Sequence, residues 1–143
     1  MNILLAEDDI DDHTFFEKAV KESNESANIT IVRDGEELMK YLINSKQLPD
    51  ILFLDLNMPR KNGFECLVEI MEDENLQDLP IVILTTSFPQ DKNYELGMIS
   101  HLFKLGVNVF IRKPNNFGQL KHVILQALSL ATENTGIKYI LNA

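Results

Sequence analysis

The chain has no tryptophan, one cysteine among its 143 residues, and 13 lysines and arginines against 22 aspartates and glutamates. A single cysteine, Cys66, excludes an internal disulfide and points to a reducing compartment. It falls in an apolar helical pattern, which reads as a small buried side chain rather than a nucleophile. The net charge of −9 argues against direct binding of DNA or RNA, because phosphate backbones are met by clustered Lys and Arg. It suits a cation, or a partner with a basic surface. No apolar run is long enough to span a membrane. Met1-Asn2 runs directly into an apolar segment without the basic start of a signal peptide, so a cytoplasmic protein is expected. Linker-like and low-complexity segments are also missing. A 45% hydrophobic content over this length suits one domain with a real core and leaves no room for two.

What is present is alternation. Short apolar segments begin at Ile3, Ile29, Ile51, Ile81 and Val107, and helical patterns follow each of them. Ile10, Phe15 or Phe16, Ala19 and Val20 mark the inner face of the first helix. Leu38, Tyr41 and Leu42 mark the second, and Phe64, Leu67, Val68 and Met71 the third. A fourth helical region spans Gln90 to Leu105, ended by Gly106. Phe117, Leu120, Ile124, Ala127 or Leu128, and Ala131 keep helical spacing along the last, which Asn115-Asn116 can cap. Strand and helix in strict alternation predict an α/β domain with a parallel sheet covered by helices on both faces. Ile137 to Leu141 is apolar for a terminus. It either docks on the domain's own surface or makes a partner or homodimer contact.

The polar residues that close the strands carry the chemistry. Glu7 and Asp8 follow the first strand, Asp55 the third, Thr85 the fourth and Lys113 the fifth. In a parallel sheet all of these ends lie on one edge, where open α/β folds bind ligands. Singly each has a plain explanation: a solvated acidic loop, a strand-end hydroxyl, a surface charge, or, for Asp55, a helix N-cap. Jointly they form a site. Three close carboxylates repel unless a cation sits among them or one of them protonates. Hard oxygen ligands with open positions suit Mg²⁺. The lysine can pair with a phosphoryl oxygen or with Asp55, and the threonine hydroxyl can donate to another such oxygen.

These stretches are Leu5-Ala6-Glu7-Asp8-Asp9, Leu54-Asp55-Leu56-Asn57-Met58-Pro59 with Asn62-Gly63, Leu84-Thr85-Thr86-Ser87, and Lys113-Pro114. Together they resemble the receiver domain of bacterial two-component response regulators. The resemblance covers residues 1–131 and leaves 132–143 as a C-terminal tail. It implies a flavodoxin-like (βα)5 three-layer sandwich with a five-stranded sheet of order 2-1-3-4-5. It implies Asp55 as phospho-acceptor, with Mg²⁺ held by Asp8, Asp55 and the backbone carbonyl of Asn57, and by Glu7 through water. Lys113 would contact the phosphoryl group through a chain whose bond to Pro114 is usually cis. Thr85 would be the switch hydroxyl, and Phe110 would stand at the aromatic switch position, where tyrosine is frequent. The implied function is that of a stand-alone response regulator. A sensor histidine kinase or phosphotransfer protein would phosphorylate it, and its helix 4–strand 5–helix 5 surface would then switch for a downstream protein. Such a protein is a signalling phospho-acceptor rather than an enzyme.

One feature departs from the simplest version of that pattern. Thr85 to Lys113 spans 28 residues, with the additional length around Phe88-Pro89 to Phe103, so the fourth helix should be longer, displaced or preceded by an extended loop. His13, His101 and His122 read as surface or packing residues. Three rivals share parts of the pattern. A hydrolase with a strand-end Asp nucleophile, of the haloacid dehalogenase type, needs a second Asp where this chain has Asn57. A nucleotide-binding protein needs a glycine-rich loop that the acidic turn after strand one does not supply. A receiver-like binding module that works without phosphate would keep the fold alone.

Overall fold

The computed structural model describes residues 1–86, 92–133 and 137–141. The elements in chain order are β1 (Asn2–Ala6), α1 (Ile10–Lys21), β2 (Asn28–Val32), α2 (Gly35–Asn44), β3 (Ile51–Leu54) and α3 (Gly63–Glu72). They continue as β4 (Ile81–Thr85), α4 (Lys92–Lys104), β5 (Val109–Arg112), α5 (Phe117–Thr132) and β6 (Tyr139–Leu141). The strands form one parallel sheet of order β2-β1-β3-β4-β5-β6.

The central strands are apolar throughout because each of their faces is covered. Leu4, Ala6, Leu52, Leu54, Ile81, Ile83 and Phe110 point into one core with α2, α3 and α4. Their alternates Ile3, Leu5, Ile51, Phe53, Val82, Leu84, Val109 and Ile111 point into a second core with α1 and α5. This is the period-2 division of a sheet buried on both sides. At about 25 cal/mol per Å² of apolar surface removed from water, these two layers supply most of the stabilisation.

The sheet carries one strand more than the expected five. Without β6, β5 would present its outer row of N–H and C=O groups to water or to another chain. Tyr139–Leu141 pairs along that row in register with Val109–Ile111, and Leu141 buries its side chain against the α1–α5 layer. The apolar terminus therefore docks on the domain itself, and the open edge moves to β6.

Helix spacing located the inner faces with errors of one position. Ile10 is 63% exposed, and Phe15 is exposed while Phe16 is fully buried. On α3 the buried residues are Cys66, Leu67 and Ile70, with Val68 turned outward. At the start of α1, Asp9 accepts from the amides of Asp11 and Asp12 and so caps the helix. Asn116 caps α5 as its sequence suggests. Phe88 and Pro89 lie outside the described residues, and α4 begins at Lys92.

Cys66 is fully buried, and its thiol donates to the Gly35 carbonyl at 3.5 Å. Burial, with the charge of Glu69 adding to it, pushes the thiol up to about 12. At pH 8 roughly one molecule in ten thousand then carries a thiolate. Iodoacetamide at pH 8 should leave the native protein unlabelled for as long as urea-unfolded chains take to react completely. Intact mass reads both, and comparable native and unfolded rates would show the site to be open.

Candidate functional site

The site forms where β1, β3, β4 and β5 end together. Asp55 is not a helix cap: Asn62 caps α3 and closes a reciprocal capping box with Glu65, which leaves the Asp55 carboxylate to the strand edge. The connecting turn is held close. A Cβ on Gly63 would stand 2.7 Å from the Asp55 carbonyl oxygen, and one on Gly35 would collide with the carbonyl of Lys61. Both contacts are with backbone, so the turn after β3 fits only glycine at these two approaches.

Asp55 is 7% exposed and Thr85 is fully buried. The Thr85 hydroxyl donates to Asp55 Oδ1 at 3.0 Å, and the Asn57 amide donates to the same oxygen at 3.2 Å. Glu7, Asp8 and Asp55 each offer a carboxylate oxygen, all within 4.8 Å of one another. Glu7 is 3% exposed, whereas Asp8 opens to solvent. Lys113 Nζ donates to Glu7 Oε1 and, at 2.7 Å, to Asp12 Oδ2. The Lys113 amide donates to the Thr85 carbonyl at 2.8 Å, which fixes the end of β5 beside that of β4. The structure thus gathers Glu7, Asp8, Asp55, Asn57, Thr85 and Lys113 at one edge.

Phe110 stands apart from this group. It is fully buried in the α2–α4 core and pairs in register with Ile83, two residues before Thr85. The Lys113–Pro114 bond is trans, not cis, as are the other described peptide bonds. The two forms of such a bond differ by only about 0.5–1 kcal/mol, so local sequence does not choose between them.

The electrostatics describe a site that holds too much negative charge. Burial, opposed by the hydrogen bond from Lys113 and reinforced by the charge of Asp55, lifts the Glu7 carboxyl to about 8. Burial pulls the Lys113 ammonium down. Its hydrogen bonds to Asp12 and Glu7 outweigh that, so Lys113 remains above its ordinary value and charged. Burial and the Asp55 charge both disfavour the Glu7 carboxylate, and a hard divalent cation among the three oxygens would offset both.

Two residues near the site carry roles that sequence reading did not assign. His13 is buried, and its Nε2 lies 2.5 Å from the Glu7 carbonyl oxygen, tying α1 to the acidic turn. Asp12 reaches Lys113 from the first turn of α1. Both precede Phe16 by three or four positions, on the face of α1 that turns inward, and that periodicity was the signal available. His101 and His122 are exposed.

A three-layer α/β domain with this acidic edge, a buried strand-end hydroxyl and a lysine is a flavodoxin-like fold with its polar groups gathered at the carboxyl ends of the strands. The family described as the response regulator receiver domain matches residues 3–125. The response regulator Rcp1 of Synechocystis is 32% identical over an alignment of 123 positions that covers 82% of this chain and 80% of Rcp1. Among solved structures, the phosphorylated cyanobacterial phytochrome response regulator RcpA superposes with a TM-score of 0.79 at 33% identity. That match covers 91% of this chain and 92% of RcpA. The Mn²⁺-bound form of Rcp1 gives 0.76 at 29% identity, covering 94% and 96%. The chain belongs to the response regulator receiver family of two-component systems. Receiver domains accept phosphate from histidine kinases and bind a divalent metal. Among the described residues, no helix is long and apolar enough to cross a membrane.

Proposed function

We propose that this chain is a signalling receiver that takes a phosphoryl group onto Asp55 and acts by changing its surface for a protein partner. The observation that carries this reading is the convergence of Asp55, its hydroxyl donor Thr85, the acidic pair Glu7–Asp8 and the ammonium of Lys113 at one sheet edge. One Asp55 oxygen attacks phosphorus in line. The new O–P bond forms as the P–N bond of a kinase phosphohistidine breaks, and the imidazole leaves with the electron pair. Asp8, Asp55 and the Asn57 carbonyl, with Glu7 through water, would hold Mg²⁺, which when bound neutralises charge on the transferring group. Lys113 stabilises the same charge from the β5 side. Thr85 donates to Asp55 before transfer and to a phosphoryl oxygen afterwards.

Output follows from what Thr85 and β5 touch. Arg112, next to Lys113, ion-pairs with the buried Glu95 of α4, so a shift at the end of β5 reaches α4 directly. Phe110 has no hydroxyl and responds by packing alone, as the second switch residue. The partner surface of α4, β5 and α5 includes β6, because that strand covers the outer edge of β5. Residues 1–131 are the receiver, and the tail completes its sheet. The donor is a sensor histidine kinase or phosphotransfer protein in the cytoplasm. Similarity to regulators named for phytochromes makes a phytochrome-type kinase the first to test.

The test is intact-mass analysis after incubation with acetyl phosphate. With Mg²⁺ the wild type should gain one phosphoryl group, and with EDTA none. A folded protein that gains none and also ignores beryllium fluoride would instead be a binding module that works without phosphate.

A further inference from the structure

We infer that Asp12 is a positioning residue that holds Lys113 toward α1 and thereby limits how strongly the site grips a phosphoryl group; this rests on the phospho-acceptor reading above. Lys113 has two carboxylate partners among the described residues, Glu7 and Asp12, and no hydrogen bond to Asp55. Glu7 belongs to the acidic cluster on the strand edge, but Asp12 does not. It comes from the first turn of α1, which the Asp9 cap orients. The Lys113 side chain is 13% exposed and that of Asp12 35%, so their 2.7 Å contact is partly shielded from solvent.

An ammonium has three protons to donate, and here two are directed at carboxylates. Each anion that shares the charge reduces its pull on a further one. A phosphoryl group on Asp55 must therefore compete with Asp12 for Lys113. The competition is not blocked by packing. The Lys113 side chain lines a cavity of about 360 Å³ between α1 and α5, together with Glu7, Asp12, Phe15, Pro114 and Phe117. That cavity leaves open space beside the Lys113–Asp12 contact.

The experiment titrates the full chain with beryllium fluoride in saturating Mg²⁺ by isothermal titration calorimetry; this anion attaches to a carboxylate as a phosphoryl group does. Asp12→Asn should raise affinity roughly two- to fivefold, the range of a partly exposed ion pair. Asp11→Asn removes the same charge from the exposed side of the same turn and has no contact with the lysine. Its gain should be smaller, and Asp12→Glu should return affinity toward the wild type. Affinity for Mg²⁺ alone should be equal in the two Asn variants. Equal gains for Asp11→Asn and Asp12→Asn would overturn the inference in favour of diffuse charge, as would a loss of affinity in Asp12→Asn. A change in Mg²⁺ affinity confined to Asp12→Asn would overturn it by placing the effect at the metal. A wild type that does not bind beryllium fluoride at all sinks the phospho-acceptor reading itself. Binding by wild type with no Asp12 effect sinks only the inference.

Discussion

Asp55→Asn should abolish the acetyl phosphate adduct completely while leaving the fold intact. The amide that replaces the carboxylate lacks an anionic oxygen, so it cannot displace a leaving group from phosphorus. Its carbonyl oxygen can still accept from Thr85 Oγ1 and from the Asn57 amide, the two bonds that hold the native side chain at 3.0 and 3.2 Å. The substitution also removes one of three crowded negative charges, so stability should not fall. Loss of the adduct can then be read as loss of chemistry. Intact mass with Mg²⁺ measures it, and urea unfolding checks the fold. An Asp55→Asn variant that accumulates phosphate as the wild type does would move the acceptor elsewhere, with the exposed Asp8 the first to examine.

The largest stability effect is expected at Phe53. It is fully buried on β3, two residues before Asp55, and meets Phe16 of α1 edge to face with ring centroids 4.9 Å apart. Phe53→Ala removes a whole ring from the α1–α5 core, at a cost of about 3–5 kcal/mol. The edge-to-face pair accounts for roughly 0.5–1.5 kcal/mol of aromatic interaction beyond area. Small domains have only about 5–15 kcal/mol in total, so the variant should sit close to unfolding. The urea midpoint should fall sharply with an unchanged slope. Ile43→Ala, at a side chain 65% exposed, should change stability by less than about 0.5 kcal/mol. Similar shifts in both variants would show that the two-core description misplaces the stabilising contacts.

Much of this protein was legible in its sequence because its sheet is parallel. A strand covered on both faces must be apolar throughout, so the first polar residue marks where it leaves the core. Glu7, Asp55 and Thr85 are those residues, Lys113 follows one position after Arg112, and parallel strands bring their ends to one edge without further information. The class of fold and the gathering of these residues at one edge follow from that rule.

Only the tertiary structure decided the contacts that join distant parts of the chain. Helical spacing alone cannot separate Phe15 from Phe16, because a helix's rotation is set by the neighbours it packs against; once Phe16 is known to face inward, the same spacing brings His13 inside. Asp12 and Lys113 are 101 positions apart, and nothing local to either marks the other. The apolar tail announced that it would be covered, but only the unpaired outer edge of β5 determined that it would become a sixth strand. Local pattern determines which residues leave water; the geometry of assembled layers determines what they meet.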